Sequence, residues 1–190
     1  MGVNPAVAEA RALLRSVTPL ETDCGRVCNR RCCAPPDRDS PWGMRLFPGE
    51  VQMDEETLSE SGFSIYSGDL AVCSGRCRRE QRPLSCRLFP LFPYLTVGGR
   101  IRAVYDPRAY RVCPLVRQAS RVPLRREFVR LVRRAGRILA GDGDCRAFLE
   151  SQSREIDEFN RFLRLEAVRP PICRRPVPAL LTGPAATRKE

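Results

Sequence analysis

Histidine is absent from the 190 residues, and lysine occurs once, at Lys189. Without imidazole the chain has no mixed Cys/His zinc site, no Ser-His or Cys-His catalytic pair and no histidine general base. It also lacks the run of about 18 apolar residues that a membrane-spanning helix requires. Glu9, Arg11 and Arg15 interrupt the N-terminal segment, which therefore lacks the apolar region of a signal peptide. We expect a cytoplasmic protein without a membrane partner, in a reducing compartment where clustered cysteines serve metal or redox chemistry more often than disulfides.

Positive charge is abundant: the formal net charge is +11, and every basic residue except Lys189 is arginine. Such a charge suits a nucleic acid or another polyanion. The arginines are scattered, however, and few aromatic residues lie among them. This pattern favours a GC-rich coding bias, so nucleic acid is the less favoured partner, and an unidentified protein partner or substrate stays open.

Three helices are predicted outside the cysteine-rich region. Residues 4–17 place apolar side chains on one face, with Asn4 as the N-cap. Residues 123–140 repeat apolar positions at helical spacing, with arginines mostly on the opposite face. A further helix runs from the break at 142–144 to about Ala167.

Residues 18–118 hold eight of the ten cysteines and only short periodic runs. The segments FSIYSGDLAV and YLTVGGRIRAVY predict β-hairpins that turn near Gly68 and at Gly98-Gly99. Residues 54–60 predict a short helix. The expected fold class is therefore α+β, with a small, irregular, metal-organised core, an N-terminal helix and a C-terminal helical pair.

The domain organisation follows from these segments. Residues 1–167 are predicted to form one domain, with a metal-binding core at 18–118 and a helical pair at 123–167. Five prolines after position 168 predict that residues 168–190 form an extended or disordered tail.

Two cysteine clusters carry the predicted chemistry. The first is CGRVCNRRCC, with four thiols in ten residues, and the second is CSGRCRREQRPLSC. Thiolates are soft ligands, and four of them in tetrahedral array select Zn²⁺ or an iron–sulfur centre. Buried apolar cysteines, a disulfide framework and a catalytic dithiol are the alternatives to metal binding. The isolated Cys145 and Cys173 are not assigned as ligands, and no catalytic or other cofactor-binding residue is assigned. The candidate metal ligands are Cys24, Cys28, Cys32, Cys33, Cys73, Cys77, Cys86 and Cys113.

The first cluster cannot bind one small ion as a straight helix. Cys24 and Cys32 would then lie roughly 12 Å apart, at 1.5 Å per residue. Two sulfurs on a tetrahedral Zn²⁺ are only about 3.8 Å apart. The segment is therefore predicted to wrap around its centre. Adjacent Cys32 and Cys33 point in different directions in most conformations, so either one binds while the other packs, or each serves a different centre.

The motifs CGRVCNRRCC, LFPGE and CSGRCRREQRPLSCRLFPL resemble the CxxCxxCC (YkgJ-type) cysteine-cluster family, a zinc- or iron-chelating domain. The family's hallmarks are an early cluster ending in a CC pair and a later RP-x-x-C-R-x-(F/Y)-P motif. The resemblance covers about residues 18–118 and implies metal chelation, although x3 spacers replace the family's x2 in the first cluster. The second motif is matched in full by Arg82, Pro83, Cys86, Arg87, Phe89 and Pro90.

The sequence thus predicts a metal-binding protein with an all-thiolate iron–sulfur or zinc centre, structural or electron-transferring. The x3 spacers open wider loops than a zinc knuckle needs, which favours the iron–sulfur centre. Arg82 and Arg87 are expected to offset thiolate charge. Phe89, Phe92 and Tyr94 are interpreted either as shielding the centre from water or as ordinary core residues, and both interpretations can hold together. One alternative is a zinc-ribbon-like nucleic-acid-binding module. A second is an accessory or catalytic domain, because the family is similar to the cluster-bearing part of flagellin lysine N-methylases. Whether the protein is an enzyme stays open.

Overall fold

The computed structural model describes residues 3–33, 43–50, 62–66, 68–75, 77, 79–117 and 123–162. The architecture is α+β, as predicted, with small antiparallel sheets between an N-terminal helix and C-terminal helices. The predicted helix at 54–60, the tail at 168–190 and Cys173 lie outside the described residues. The helices are α1 (Pro5–Leu13), α2 (Cys24–Val27), α3 (Leu84–Leu88), α4 (Ala109–Val112), α5 (Pro114–Arg117), α6 (Arg126–Leu139) and α7 (Gly143–Phe162). The strands are β1 (Gly43–Arg45), β2 (Phe63–Tyr66), β3 (Leu70–Cys73), β4 (Leu91–Leu95) and β5 (Ile101–Tyr105).

Helix α1 begins where its sequence predicts. The Asn4 side chain accepts hydrogen bonds from the backbone N–H groups of Ala6 (2.9 Å) and Val7 (3.3 Å). These bonds satisfy N–H groups that a helix start otherwise leaves open. The helix ends at Leu13, earlier than the apolar pattern suggests, but Leu14 and Val17 are still buried. The apolar spacing therefore continues past the last helical turn.

Both predicted hairpins form. Strands β2 and β3 pair antiparallel, and β1 adds to the other edge of β3 in the spatial order β1-β3-β2. Strands β4 and β5 form a separate two-stranded sheet, with Leu91 opposite Tyr105. Gly99 turns this second hairpin with a φ of +73°, a conformation that favours glycine.

The C-terminal helices cover the β4–β5 hairpin. Helix α6 packs against α1 and both strands, and α7 packs against β4. A Cβ atom at Gly136 would lie 2.6 Å from Cβ of Pro93, so only glycine permits this close approach. The backbone N–H of Leu95 donates to Oγ of Ser153 on α7 at 2.9 Å. These contacts hold the hairpin between two helices.

One apolar cluster joins most of the chain. It includes Leu14 from the segment after α1, Leu88 from α3, Val104 from β5 and Phe128 from α6. A smaller cluster of Leu46, Phe63 and Ala71 lies at the three-stranded sheet. The larger cluster therefore crosses the boundary between the predicted metal-binding core and the helical pair. Within the described residues, no helix is long and apolar enough to cross a membrane.

Candidate metal centre

Three cysteines from distant parts of the sequence meet at one point. The Sγ atoms of Cys33, Cys73 and Cys77 all lie within 4.8 Å of one another. Cys33 ends a 3-10 turn over Arg31–Cys33, and Cys73 ends β3. The strand and the turn bring these sulfurs together across about 40 residues of sequence. We refer to these three residues as the Cys33 group.

The Cys33 group is surrounded by hydrogen-bond donors to sulfur. The backbone N–H of Gly75 donates to Sγ of Cys73 at 3.3 Å, and Nε of Arg82 donates to Sγ of Cys77 at 3.4 Å. Gly75 has a φ of +84°, so glycine allows the turn that presents its N–H group. Donors of this kind stabilise thiolates, which are the form that binds metal.

The thiols within the group also act on one another. Hydrogen bonds from Cys33 and Cys73, followed by that from Arg82, lower the pKa of Cys77 to about 2. The hydrogen bond with Cys32 is the largest cause of the raised pKa of Cys33, and the bond with Cys33 raises that of Cys73. The arrangement therefore favours one thiolate that accepts hydrogen bonds from neighbouring thiols. Binding of a metal would displace the protons that remain on those thiols.

Cys86 on α3 is a further candidate beside the Cys33 group. It lines the same cavity, together with Phe63 and Met44. Burial raises the pKa of Cys86, and the charges of Cys73 and Cys77 raise it further. Cys73, Cys77 and Cys86 also pack against the smaller apolar cluster.

The first cysteine cluster wraps, as predicted. Helix α2 stops at Val27, and Asn29 and Arg30 then adopt left-handed backbone with φ of 50° and 54°. The turn is held by a bond from the N–H of Arg30 to the carbonyl of Gly25 at 3.0 Å. The chain reverses here instead of extending the helix, and Cys32 and Cys33 line the same cavity as Cys24 and Cys28.

A second cavity adjoins the first. It is lined by Cys24, Cys28 and Cys113, which the first cavity does not touch, and also by Cys32, Cys33 and Cys86. Arg82 and Phe89 contribute to both walls. The eight candidate cysteines therefore all border this pair of cavities.

The two arginines of the RPLSCRLFP motif have different roles. Arg82 contacts sulfur, as expected from its predicted role beside thiolates. Arg87 is buried and donates to backbone carbonyls of Glu80 (2.7 Å), Arg82 (3.0 Å) and Arg11 (3.2 Å). Arg87 thus binds the loop before α3 to the end of α1.

The aromatic residues after Cys86 also divide. Phe89 lines both thiol cavities, which agrees with a shielding role. Phe92 instead lines a separate cavity with Arg108 and Phe159, and the Tyr94 hydroxyl donates to the Asp157 carboxylate at 2.9 Å. Phe92 belongs to the large apolar cluster and Tyr94 packs against it, so these two residues follow the ordinary-core alternative.

Glu50 is a supporting residue that the sequence reasoning missed. Its buried carboxylate accepts hydrogen bonds from the backbone N–H groups of Phe47 (3.1 Å) and Leu84. Burial raises the pKa of Glu50, and the two N–H groups oppose that shift. Because Leu84 begins α3, Glu50 fixes the helix that carries Cys86. A carboxylate inside the motif LFPGE, next to a turn glycine, was the available signal.

The remaining described cysteine is not part of either cavity. Cys145 is fully buried in the large apolar cluster on α7, as expected for a packed thiol. All nine described cysteines are free thiols, so no disulfide forms among them.

No family model, curated protein or solved structure matches this chain.

Proposed function

We propose that this protein binds metal through an all-thiolate centre formed by Cys33, Cys73, Cys77 and Cys86. The observation that carries the proposal is the convergence of three sulfurs within 4.8 Å from a 3-10 turn, a strand and a loop. Buried packing cysteines have no need to converge, and a disulfide would need only two. Cys86 completes a set of four, the number that a structural zinc site takes.

The spacing favours a single ion such as Zn²⁺ at this centre. Sulfurs on tetrahedral zinc lie about 3.8 Å apart, and the sulfurs of the Cys33 group lie within 4.8 Å. The sequence-based preference for an iron–sulfur centre depended on open loops between cysteines. The left-handed turn at Asn29 and Arg30 closes one of those loops, so the spacing in sequence does not set the size of the centre.

The role of the centre is structural in this proposal. It joins the three-stranded sheet to α3 and the large apolar cluster through ligands on both sides. The likeness to the CxxCxxCC (YkgJ-type) family supports metal chelation as the function. Relatedness to lysine N-methylases rests on that likeness alone, and the described residues offer no further observation in its favour.

The test is metal analysis with a visible spectrum after anaerobic purification from cells supplied with both zinc and iron. We expect a colourless protein that contains zinc, since the ion is d¹⁰. The double variant Cys73→Ser/Cys77→Ser should lose metal from this centre, whereas the matched control Cys145→Ala should keep it. A wild-type protein without bound metal would overturn the proposal. A brown, iron-containing protein would show that the centre is an iron–sulfur centre and not a zinc site, and the ligand assignment would stay the same.

A further inference from the structure

We propose a second metal centre, separate from the first, formed by the thiolates of Cys24, Cys28, Cys32 and Cys113. The inference rests on the proposed metal-binding function and extends it to a second site. In this arrangement the adjacent residues Cys32 and Cys33 each serve a different centre.

The cavities divide the eight thiols. Cys24, Cys28 and Cys113 line only the second cavity, and Cys73 and Cys77 line only the first. Three further thiols border both. Of these, Cys33 belongs to the first centre by distance, and Cys86 belongs there because it packs with Cys73 and Cys77 against the smaller apolar cluster.

Cys32 is therefore the ligand left for the second centre. Its Sγ lies 3.9 Å from Sγ of Cys33, yet it is not among the sulfurs that converge within 4.8 Å at the Cys33 group. Its backbone lies directly after the left-handed turn at Asn29 and Arg30. The turn returns Cys32 to the wall of the cavity that Cys24 and Cys28 line.

Cys113 is held in place by the apolar core. Its side chain is only 6% exposed and belongs to the large apolar cluster. Its backbone N–H donates to the carbonyl of Ala109 at 2.8 Å, and its carbonyl accepts from the N–H of Val116 at 3.1 Å. The packing of α4 and α5 therefore fixes this thiol at the wall of the second cavity.

The apolar clusters divide the thiols in the same way. Cys24, Cys32 and Cys113 belong to the large cluster or pack against it, whereas Cys73, Cys77 and Cys86 pack against the smaller one. Thiolates that share a cavity repel one another, and a divalent cation bound between them removes this repulsion.

The experiment compares metal content in two matched double variants. Cys24→Ser/Cys113→Ser removes the second centre, and Cys73→Ser/Cys77→Ser removes the first. Each variant should retain about half of the wild-type metal under anaerobic reconstitution with Zn²⁺ alone. Cys145→Ala should retain all of it, and circular dichroism should show native helix content.

The possible outcomes separate the two proposals. Wild-type metal content in Cys24→Ser/Cys113→Ser, together with loss of all metal in Cys73→Ser/Cys77→Ser, would overturn the second centre and keep the first. Loss of all metal in both variants would show one shared centre and would also overturn the inference. No metal in the wild type would refute the proposed function itself.

Discussion

Two regions of this molecule are stabilised differently. The apolar region comprises α1, α3, the β4–β5 hairpin, α6 and α7, and its large core side chains, such as Phe128 and Leu149, are fully buried. The thiolate region comprises α2, the 3-10 turn over Arg31–Cys33 and the β1–β3 sheet. Its own apolar cluster contains only three buried residues, against which Cys73, Cys77 and Cys86 pack. The comparison shows that apolar burial stabilises the first region, whereas the second has thiols where a larger core would be.

The two regions meet through packed side chains. Cys24 and Cys32 pack against the large apolar cluster, and the Ser85 hydroxyl on α3 donates to the carbonyl of Arg45 on β1. Two proposed ligands lie on elements of that cluster, Cys86 on α3 and Cys113 at the end of α4. Each proposed centre therefore has one ligand that the large apolar cluster positions.

The largest expected effect is that of metal removal. A chelator added under reducing conditions should accelerate amide exchange in residues 24–33 and 70–77 by about a thousandfold, because metal binding supplies folding free energy. Exchange in α6 should change little. Measurement by hydrogen–deuterium exchange mass spectrometry decides this, and equal acceleration in α6 and α2 would contradict the division into two regions.

Phe128→Ala should have the converse effect. The side chain is fully buried in α6, so its truncation should lower the free energy of unfolding by about 3–5 kcal/mol. Denaturant unfolding with and without bound metal provides the measurement. We expect a similar loss in both states, since the core of the apolar region does not use the metal. A loss seen only in the metal-free protein would break the comparison.

Gly136→Ala examines the packing of α6 on the hairpin. The new methyl group would lie 2.6 Å from Cβ of Pro93 and 2.7 Å from Cγ2 of Ile101. We expect a loss of about 1–3 kcal/mol in the free energy of unfolding, the usual effect of overpacking. Gly143→Ala is the matched control, because nothing lies within 4 Å of its added methyl group. Equal stability of the two variants would show that the hairpin moves freely away from α6.

Glu50→Gln should have the smallest effect on the free energy of unfolding, and its effects should extend to both regions. The amide keeps one acceptor oxygen where the carboxylate has two, so either Phe47 or Leu84 loses its partner. We expect the free energy of unfolding to fall by about 1 kcal/mol. Metal affinity should fall with it, because α3 carries Cys86. Thermal unfolding and zinc titration of the same variant measure both effects, and an unchanged affinity would show that Glu50 supports the fold alone.

The sequence predicted the elements whose signals are local. Asn4 before Pro5, the turn glycines of both hairpins and the apolar spacing of α6 each depend on neighbours within a few residues, and each element formed. The sequence alone does not show which thiols lie together, because Cys33 approaches Cys73 and Cys77 only when the β1–β3 sheet has folded. Glu50 was missed for the same reason, because its bond to Leu84 joins residues far apart in the sequence and has no fixed spacing.

The adjacency of Cys32 and Cys33 has a consequence for how the protein matures. Apolar packing positions Cys86 and Cys113 without metal, so these two thiols are in place before an ion binds. The segment at 24–33 then binds both ions. Because one peptide bond joins Cys32 to Cys33, binding of either ion brings the ligand of the other ion close to its own centre. We expect occupation of one centre to raise the zinc affinity of the other, and native mass spectra recorded during zinc titration measure this as a departure from independent binding.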